Sequence, residues 1–125
     1  MEGSYTYFEL RYDSNYSRTI DTEEVLDYIS SLDELVRVDK IQYKNKPELP
    51  WGIVTLIMAS EKGNYSYDKG EYFEKINLIE MILKDDSNSF DHYLGIGERI
   101  AKNLNWELMD CDDDTILIKN EKGAA

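Results

Sequence analysis

The chain has few of the residues that build metal and redox sites, with one cysteine and one histidine among its 125 residues. Cys111 alone can form no intramolecular disulfide and no multi-cysteine metal site, which is typical of a reducing compartment. The most apolar stretch, Trp51–Ala59, is too short to cross a bilayer, and no charged-then-apolar leader occupies the first ten residues. We therefore expect a cytoplasmic protein with no membrane segment and no cofactor.

Basic residues are also scarce, because 14 of them stand against 26 acidic residues and the net charge is −12. Such a chain lacks the cationic surface that binding to DNA, RNA or anionic lipid requires. The excess lies in two stretches without a base, Asp21–Glu34 with six acids and Glu107–Asp114 with five. This distribution predicts a basic protein partner and no direct contact with nucleic acid or membrane.

Length and composition predict one folded domain. A chain of 125 residues is the usual size of a single domain, and 42% hydrophobic residues with ten tyrosines exclude a disordered acidic tail. We expect an ordered core over about 4–119 and a frayed tail over 120–125. The oligomeric state is left open.

Periodicity predicts the main elements. Trp51–Ala59 is rich in β-branched residues and is interpreted as the central strand of a sheet. Ser4–Asp13 alternates, which places Tyr5, Tyr7, Glu9 and Arg11 on the open face of a half-buried strand. Further strands are predicted at Leu35–Tyr43 with a bulge near Asp39–Lys40, at Tyr72–Lys84 in preference to a helix, at Trp106–Cys111 and at Thr115–Lys119.

Two segments have helical spacing. The first begins at Asp21, which forms a capping-box pattern with Glu24, and the second runs from Phe90 to Leu104 with Ser89 as N-cap and Asn105 as a left-handed stop. The predicted order is β-α-β-β-β-α-β-β. It corresponds to an α+β two-layer sandwich, a mostly antiparallel sheet with both helices on one face, in a ferredoxin-like variant.

Short motifs for ligand binding are incomplete. The G-x-G at Gly95 and Gly97 lacks the third glycine and the preceding strand of a dinucleotide site, so Gly97 is interpreted as a close-packing position. Asp110, Asp112, Asp114 and Glu121 have the spacing of an EF-hand loop, but Thr115 stands where that loop requires glycine. We predict an exposed Asp-rich turn, at most a weak cation site.

Three single residues are candidates for catalytic groups. Glu80, inside an apolar strand, is either a buried carboxylate with acid–base capacity or, as favoured, a charge that protects an edge strand. His92 is interpreted as a surface histidine. Cys111, surrounded by acids, is interpreted as a small core residue of a strand rather than a nucleophile.

Tyrosines next to acids suggest a binding surface, because tyrosine is enriched at interface hot spots. We predict a non-enzymatic acidic binder that neutralises a basic protein, as a bacterial-type immunity protein inhibits a nuclease toxin. The alternatives are a DNA-mimicking phage-type antagonist and a small enzyme or ligand-binding domain on the open sheet face. The candidate partner-binding residues are Tyr5, Tyr7, Tyr16, Glu23, Glu24, Asp27, Tyr65, Tyr67, Asp68, Tyr72, Asp112, Asp113 and Asp114.

Overall fold

A computed structural model describes residues 4–60 and 71–120. They form a sheet layer covered on one face by two helices. The elements are β1 (Tyr5–Arg11), β2 (Ile20–Asp21), α1 (Thr22–Ser30), β3 (Leu35–Asp39), β4 (Gln42–Asn45), β5 (Gly52–Ile57), β6 (Lys75–Ile76), β7 (Leu78–Lys84), α2 (Ser87–Leu104), β8 (Glu107–Asp110) and β9 (Thr115–Ile118).

The main sheet has seven strands in the order β3-β4-β5-β7-β1-β8-β9, and every neighbouring pair is antiparallel. The four inner strands β5-β7-β1-β8 have the ferredoxin-like order, and β3, β4 and β9 extend the sheet at both edges. Short strands β2 and β6 pair separately. The predicted two-layer α+β sandwich is confirmed.

The core lies between the helices and one face of the sheet. Phe8 and Leu10 on β1 are fully buried, and Phe8 packs edge-to-face on Phe90 of α2 at 5.3 Å. On the α1 side, the hydroxyl of buried Tyr43 donates to the Leu26 carbonyl at 3.1 Å. A β-carbon at Gly97 would lie 2.2 Å from Leu108 Cδ1, which confirms the predicted close packing there.

The predicted centre of the sheet was wrong by one strand. Trp51–Ala59 contains β5, but the middle strand is β7, which pairs with β5 on one side and β1 on the other. The strand prediction for Tyr72–Lys84 is confirmed by β6 and β7. Glu80 made β7 look less central, yet its side chain belongs to the face that carries no helix.

The segment Leu35–Tyr43 is a hairpin and not one bulged strand. β3 and β4 pair with each other, and their register shifts between Arg37 and Asp39. The Arg37 guanidinium donates to the carbonyls of Asp39 and Lys40 at 3.2 and 2.6 Å, which stabilises the turn. The apolar residues change from even to odd positions along this segment because the chain reverses direction between β3 and β4.

Both helices begin differently from the prediction, whereas α2 ends at the predicted residue. Asp21 precedes α1 but makes no side-chain cap bond, because its carboxylate pairs with Lys75 at 2.7 Å. α2 begins earlier than predicted, since Asp86 and not Ser89 is the N-cap and accepts the Ser89 N–H at 2.7 Å. Asn105 ends α2 in the left-handed conformation, as predicted.

Neither helix of the described residues has the length and apolar character needed to cross a membrane. Asn120, expected in the frayed tail, is buried and donates to the Tyr12 carbonyl at 3.0 Å. The candidate residues Tyr65, Tyr67 and Asp68 lie outside the described residues, as does Glu121.

Candidate functional site

The face of the sheet opposite the helices carries a row of apolar side chains. Strand register places Tyr7 beside Ile82 and Ile82 beside Ile53, so the row crosses three strands. Tyr5, on the same face of β1, packs on Trp51 with ring centroids 5.3 Å apart. Tyr5 and Tyr7 are 42% and 39% exposed. We call Tyr5, Tyr7, Trp51, Ile53 and Ile82 the aromatic band.

The sequence builds this band by simple alternation. In β1 every second residue faces the helices, which leaves Tyr5 and Tyr7 on the open side. Sequence reasoning found these tyrosines but missed Trp51, Ile53 and Ile82. The two isoleucines could have been identified by strand alternation. Each is adjacent in sequence to a core-facing residue, Val54 or Met81, and so lies on the opposite face of the sheet.

An exposed acidic turn adjoins the aromatic band. Asp112, Asp113 and Asp114, here called the Asp turn, connect β8 to β9 and are exposed. The Cys111 N–H donates to the Tyr7 carbonyl at 2.9 Å, which ties the start of the turn to β1. Asp114 has a positive φ of 54°, a conformation in which Asp and Asn are enriched. Rings and carboxylates therefore share one end of the sheet.

Asp110 leads into the Asp turn and is only 9% exposed. Its Oδ1 accepts the Asp112 N–H at 3.0 Å. Burial raises the pKa of Asp110 above its ordinary value, and the nearby charges of Asp113, Asp112 and Asp85 raise it further. Ionisation of Asp110 therefore costs more free energy in the folded protein than in the unfolded chain.

Replacing Asp110 with Asn is expected to stabilise the protein at pH 7, by on the order of 1 kcal/mol or less. Because the pKa of Asp110 is raised on folding, its contribution to the stability of the fold is fully present below the pKa of the unfolded chain, about 3.9. That contribution is lost as the pH rises through the pKa of the folded protein. The gain should therefore shrink to nothing as the pH is lowered towards that value. Denaturant unfolding of both proteins at each pH measures it; a less stable variant at pH 7 would contradict the assignment.

A buried ion cluster lies on the same open face. The Arg11 guanidinium donates to Glu107 at 2.9 Å, to Glu9 at 3.0 Å and to the Tyr16 hydroxyl at 3.3 Å. Tyr16 in turn donates to Glu9 at 2.8 Å. Burial raises the pKa of Tyr16, and the Glu9 hydrogen bond and charge add to that rise. Tyr16 is half-buried and belongs to this cluster, so it is not a free contact residue.

The other predicted acids lie elsewhere. Glu23, Glu24 and Asp27 are exposed on α1, where the Tyr72 hydroxyl donates to Glu23. α1 packs beside β3 at one edge of the sheet, whereas the Asp turn belongs to the β8–β9 hairpin at the other edge. The continuous stripe of charge that a DNA mimic needs is not formed by these two stretches.

The structure also shows where the three candidate catalytic residues, Glu80, Cys111 and His92, lie. Glu80 lies on the central strand between Glu9 and Thr55, so the favoured edge-strand interpretation was wrong. Cys111 follows β8 and is half-buried, which corrects its assignment to a strand core, and burial raises its thiol pKa to about 12. His92, predicted at the surface, is half-buried and packs edge-to-face on Tyr93 at 4.9 Å.

Ligand geometry is limited on this face. Within residues 4–60 and 71–120, no three His, Cys, Asp or Glu side chains are placed to hold a metal ion. A cavity of about 720 Å³ lies away from the band, beside the loop that carries Tyr16 and the end of β5. Its lining includes neither Tyr5, Tyr7 nor Glu80. This cavity is therefore not the pocket that a small-molecule site around those three residues would need.

The arrangement suits contact with a macromolecule. Exposed rings supply apolar area, and the exposed carboxylates of the Asp turn supply negative charge near the Tyr7 end of the band, whose strand register also places Lys84 beside Tyr5 and Lys44 beside Ile53. Comparison of the chain with protein-family models, with curated proteins and with solved structures found no match.

Proposed function

We propose that the protein is a non-enzymatic, cytoplasmic binding protein that neutralises a basic partner protein, of the immunity-protein type against a nuclease-like toxin. One observation supports this most: the exposed aromatic band reaches the Asp turn at Tyr7, whose carbonyl accepts the Cys111 N–H at the start of that turn. The band is the contact surface and the turn is its charged rim.

The rings and the carboxylates would contribute to binding in different ways. Tyr and Trp rings bury large apolar area with little loss of side-chain freedom, and they stack on arginine and lysine. Three adjacent carboxylates attract a cationic surface over a distance of about 10 Å at moderate salt. Rim charges act mainly on the association rate, so binding is expected to be fast and sensitive to salt.

The test uses two triple variants that lose the same charge from different surfaces. The first is Asp112→Asn, Asp113→Asn and Asp114→Asn, in which asparagine keeps the turn because it tolerates a positive φ. The control is Glu23→Gln, Glu24→Gln and Asp27→Asn on α1. Each variant and the wild-type chain is immobilised, captured proteins from the native cell are identified, and their affinities are measured at several salt concentrations.

A basic protein should bind the wild type and the α1 variant alike and bind the Asp-turn variant at least about tenfold more weakly, about 1.4 kcal/mol. Added salt should weaken the binding. The proposal is abandoned if no basic protein is recovered, if binding ignores salt, or if the two variants weaken binding equally.

A further inference from the structure

The two edges of the main sheet differ in how they are protected. β3 carries Arg37 and Asp39, whereas β9, with the sequence Thr-Ile-Leu-Ile, carries no charge. An edge strand presents unpaired N–H and C=O groups, and natural proteins commonly block such edges with charges. The register of both edge pairs shifts once, so irregular pairing does not distinguish them. Among the described residues, β9 is the unblocked edge.

A cavity lies next to this edge. It measures about 200 Å³ and opens between the end of α2 and β9; its lining residues are Ala101, Lys102, Asn105, Trp106, Ile118 and Lys119. Trp106 and Ala101 are 2% and 1% exposed, so part of the lining belongs to the hydrophobic core. The volume far exceeds the ~10–15 Å³ that one water needs. α2 therefore leaves room for a side chain beside β9.

The chain itself turns away from this edge after β9. Asn120 donates to the carbonyl of Tyr12, which follows β1, two strands inside the edge. At the other end of β9, the Asp turn precedes Thr115 directly. The edge thus has carboxylates at its start, and beside its end a cavity with buried apolar residues and two lysines, Lys102 and Lys119, in its lining.

We propose that an extended segment of the basic partner adds to β9 as an eighth strand of the sheet. The proposal rests on the proposed function for the basic character of that segment. Backbone hydrogen bonds to β9 would supply affinity, and alternate side chains would supply specificity. An apolar side chain of the segment enters the cavity beside Ile118, and its Lys or Arg residues lie at the Asp turn.

The test uses defined peptide probes with the whole 125-residue chain. The first probe is an eight-residue peptide that alternates lysine and valine, because alternation presents one apolar and one basic face in a strand. A second peptide replaces each lysine with glutamate, and a third keeps the lysines but has two internal prolines that cannot join a ladder. Binding is followed by titration, and amide hydrogen exchange locates it.

The lysine–valine peptide should bind and slow the exchange of β9 amides at least about tenfold, while β3 amides are unchanged. The proline peptide should bind at least about tenfold more weakly. Ile116→Lys, which places a charge on β9, should weaken binding at least about tenfold, and the matched change Val36→Lys on β3 should alter it less than about twofold.

The outcomes separate the two proposals. Strand addition is overturned if the lysine–valine peptide protects only the Asp turn or the open face, or if Ile116→Lys binds as the wild type does; the proposed function would survive both results. If the glutamate peptide protects β9 equally well and no basic protein is captured, strand addition stands and the basic-partner function fails.

Discussion

Replacing Arg11 with Met is expected to lower the free energy of unfolding by about 3–5 kcal/mol, the usual penalty for breaking a buried ion pair by removing one partner. Arg11 is 7% exposed, and its guanidinium lies 3.0 Å from Glu9 and 2.9 Å from Glu107. Both carboxylate side chains are only 17% exposed. Methionine keeps the aliphatic volume of the stem but leaves two poorly solvated charges without a counter-ion.

Denaturant unfolding measures this loss, and two further variants identify its cause. Adding Glu9→Gln and Glu107→Gln to Arg11→Met should recover most of the stability, because the uncompensated charges are then gone. Glu98→Gln removes one member of the exposed pair with Lys102 and should change stability by less than about 0.5 kcal/mol. A loss below about 1 kcal/mol for Arg11→Met would mean that the cluster is effectively solvated.

Local sequence patterns predicted the elements well because their causes are local. Alternation in β1 follows from the strand period, and the helical spacing of α2 follows from its apolar face. Asn105 ends α2 for a reason that also lies within a few residues, the left-handed conformation that asparagine tolerates.

Errors arose where a distant segment decides the outcome. Asp21 has the form of a cap, but Lys75 of β6 takes its carboxylate. Glu80 looked like an edge charge because nothing in its own segment reveals that β1 and β5 flank it. One error was local: the hairpin of β3 and β4 was interpreted as a single strand with a bulge, since a bulge and a chain reversal both change the parity of the apolar residues.

Only some parts of the candidate site were predictable from the sequence, and its assembly was not. Tyr7 and the Asp turn are more than 100 residues apart in sequence, and they become neighbours only because β1 pairs with β8. The Arg11 cluster was missed for the same reason, although Glu9 and Arg11 share a strand face. Its third charged member, Glu107, reaches Arg11 only through that pairing.

Gly52→Ala is expected to destabilise the protein by about 3–4 kcal/mol, because overpacking alone costs about 1–3 kcal/mol and a buried hydrogen bond is lost in addition. A β-carbon at position 52 would lie 2.2 Å from Tyr93 Cζ and 2.4 Å from its hydroxyl. Tyr93 is fully buried, and its hydroxyl donates to the Pro50 carbonyl at 2.7 Å. The rigid ring cannot move away without breaking this bond.

The matched control is Gly95→Ala, since a β-carbon there meets nothing within 4 Å and alanine favours a helix interior by about 0.5–1 kcal/mol. Thermal unfolding of the two variants should therefore shift in opposite directions. If Gly52→Ala unfolds within about 1 kcal/mol of the wild type, the Tyr93 ring must have room to move, and the close contact between α2 and β5 would not be what holds that helix against the sheet.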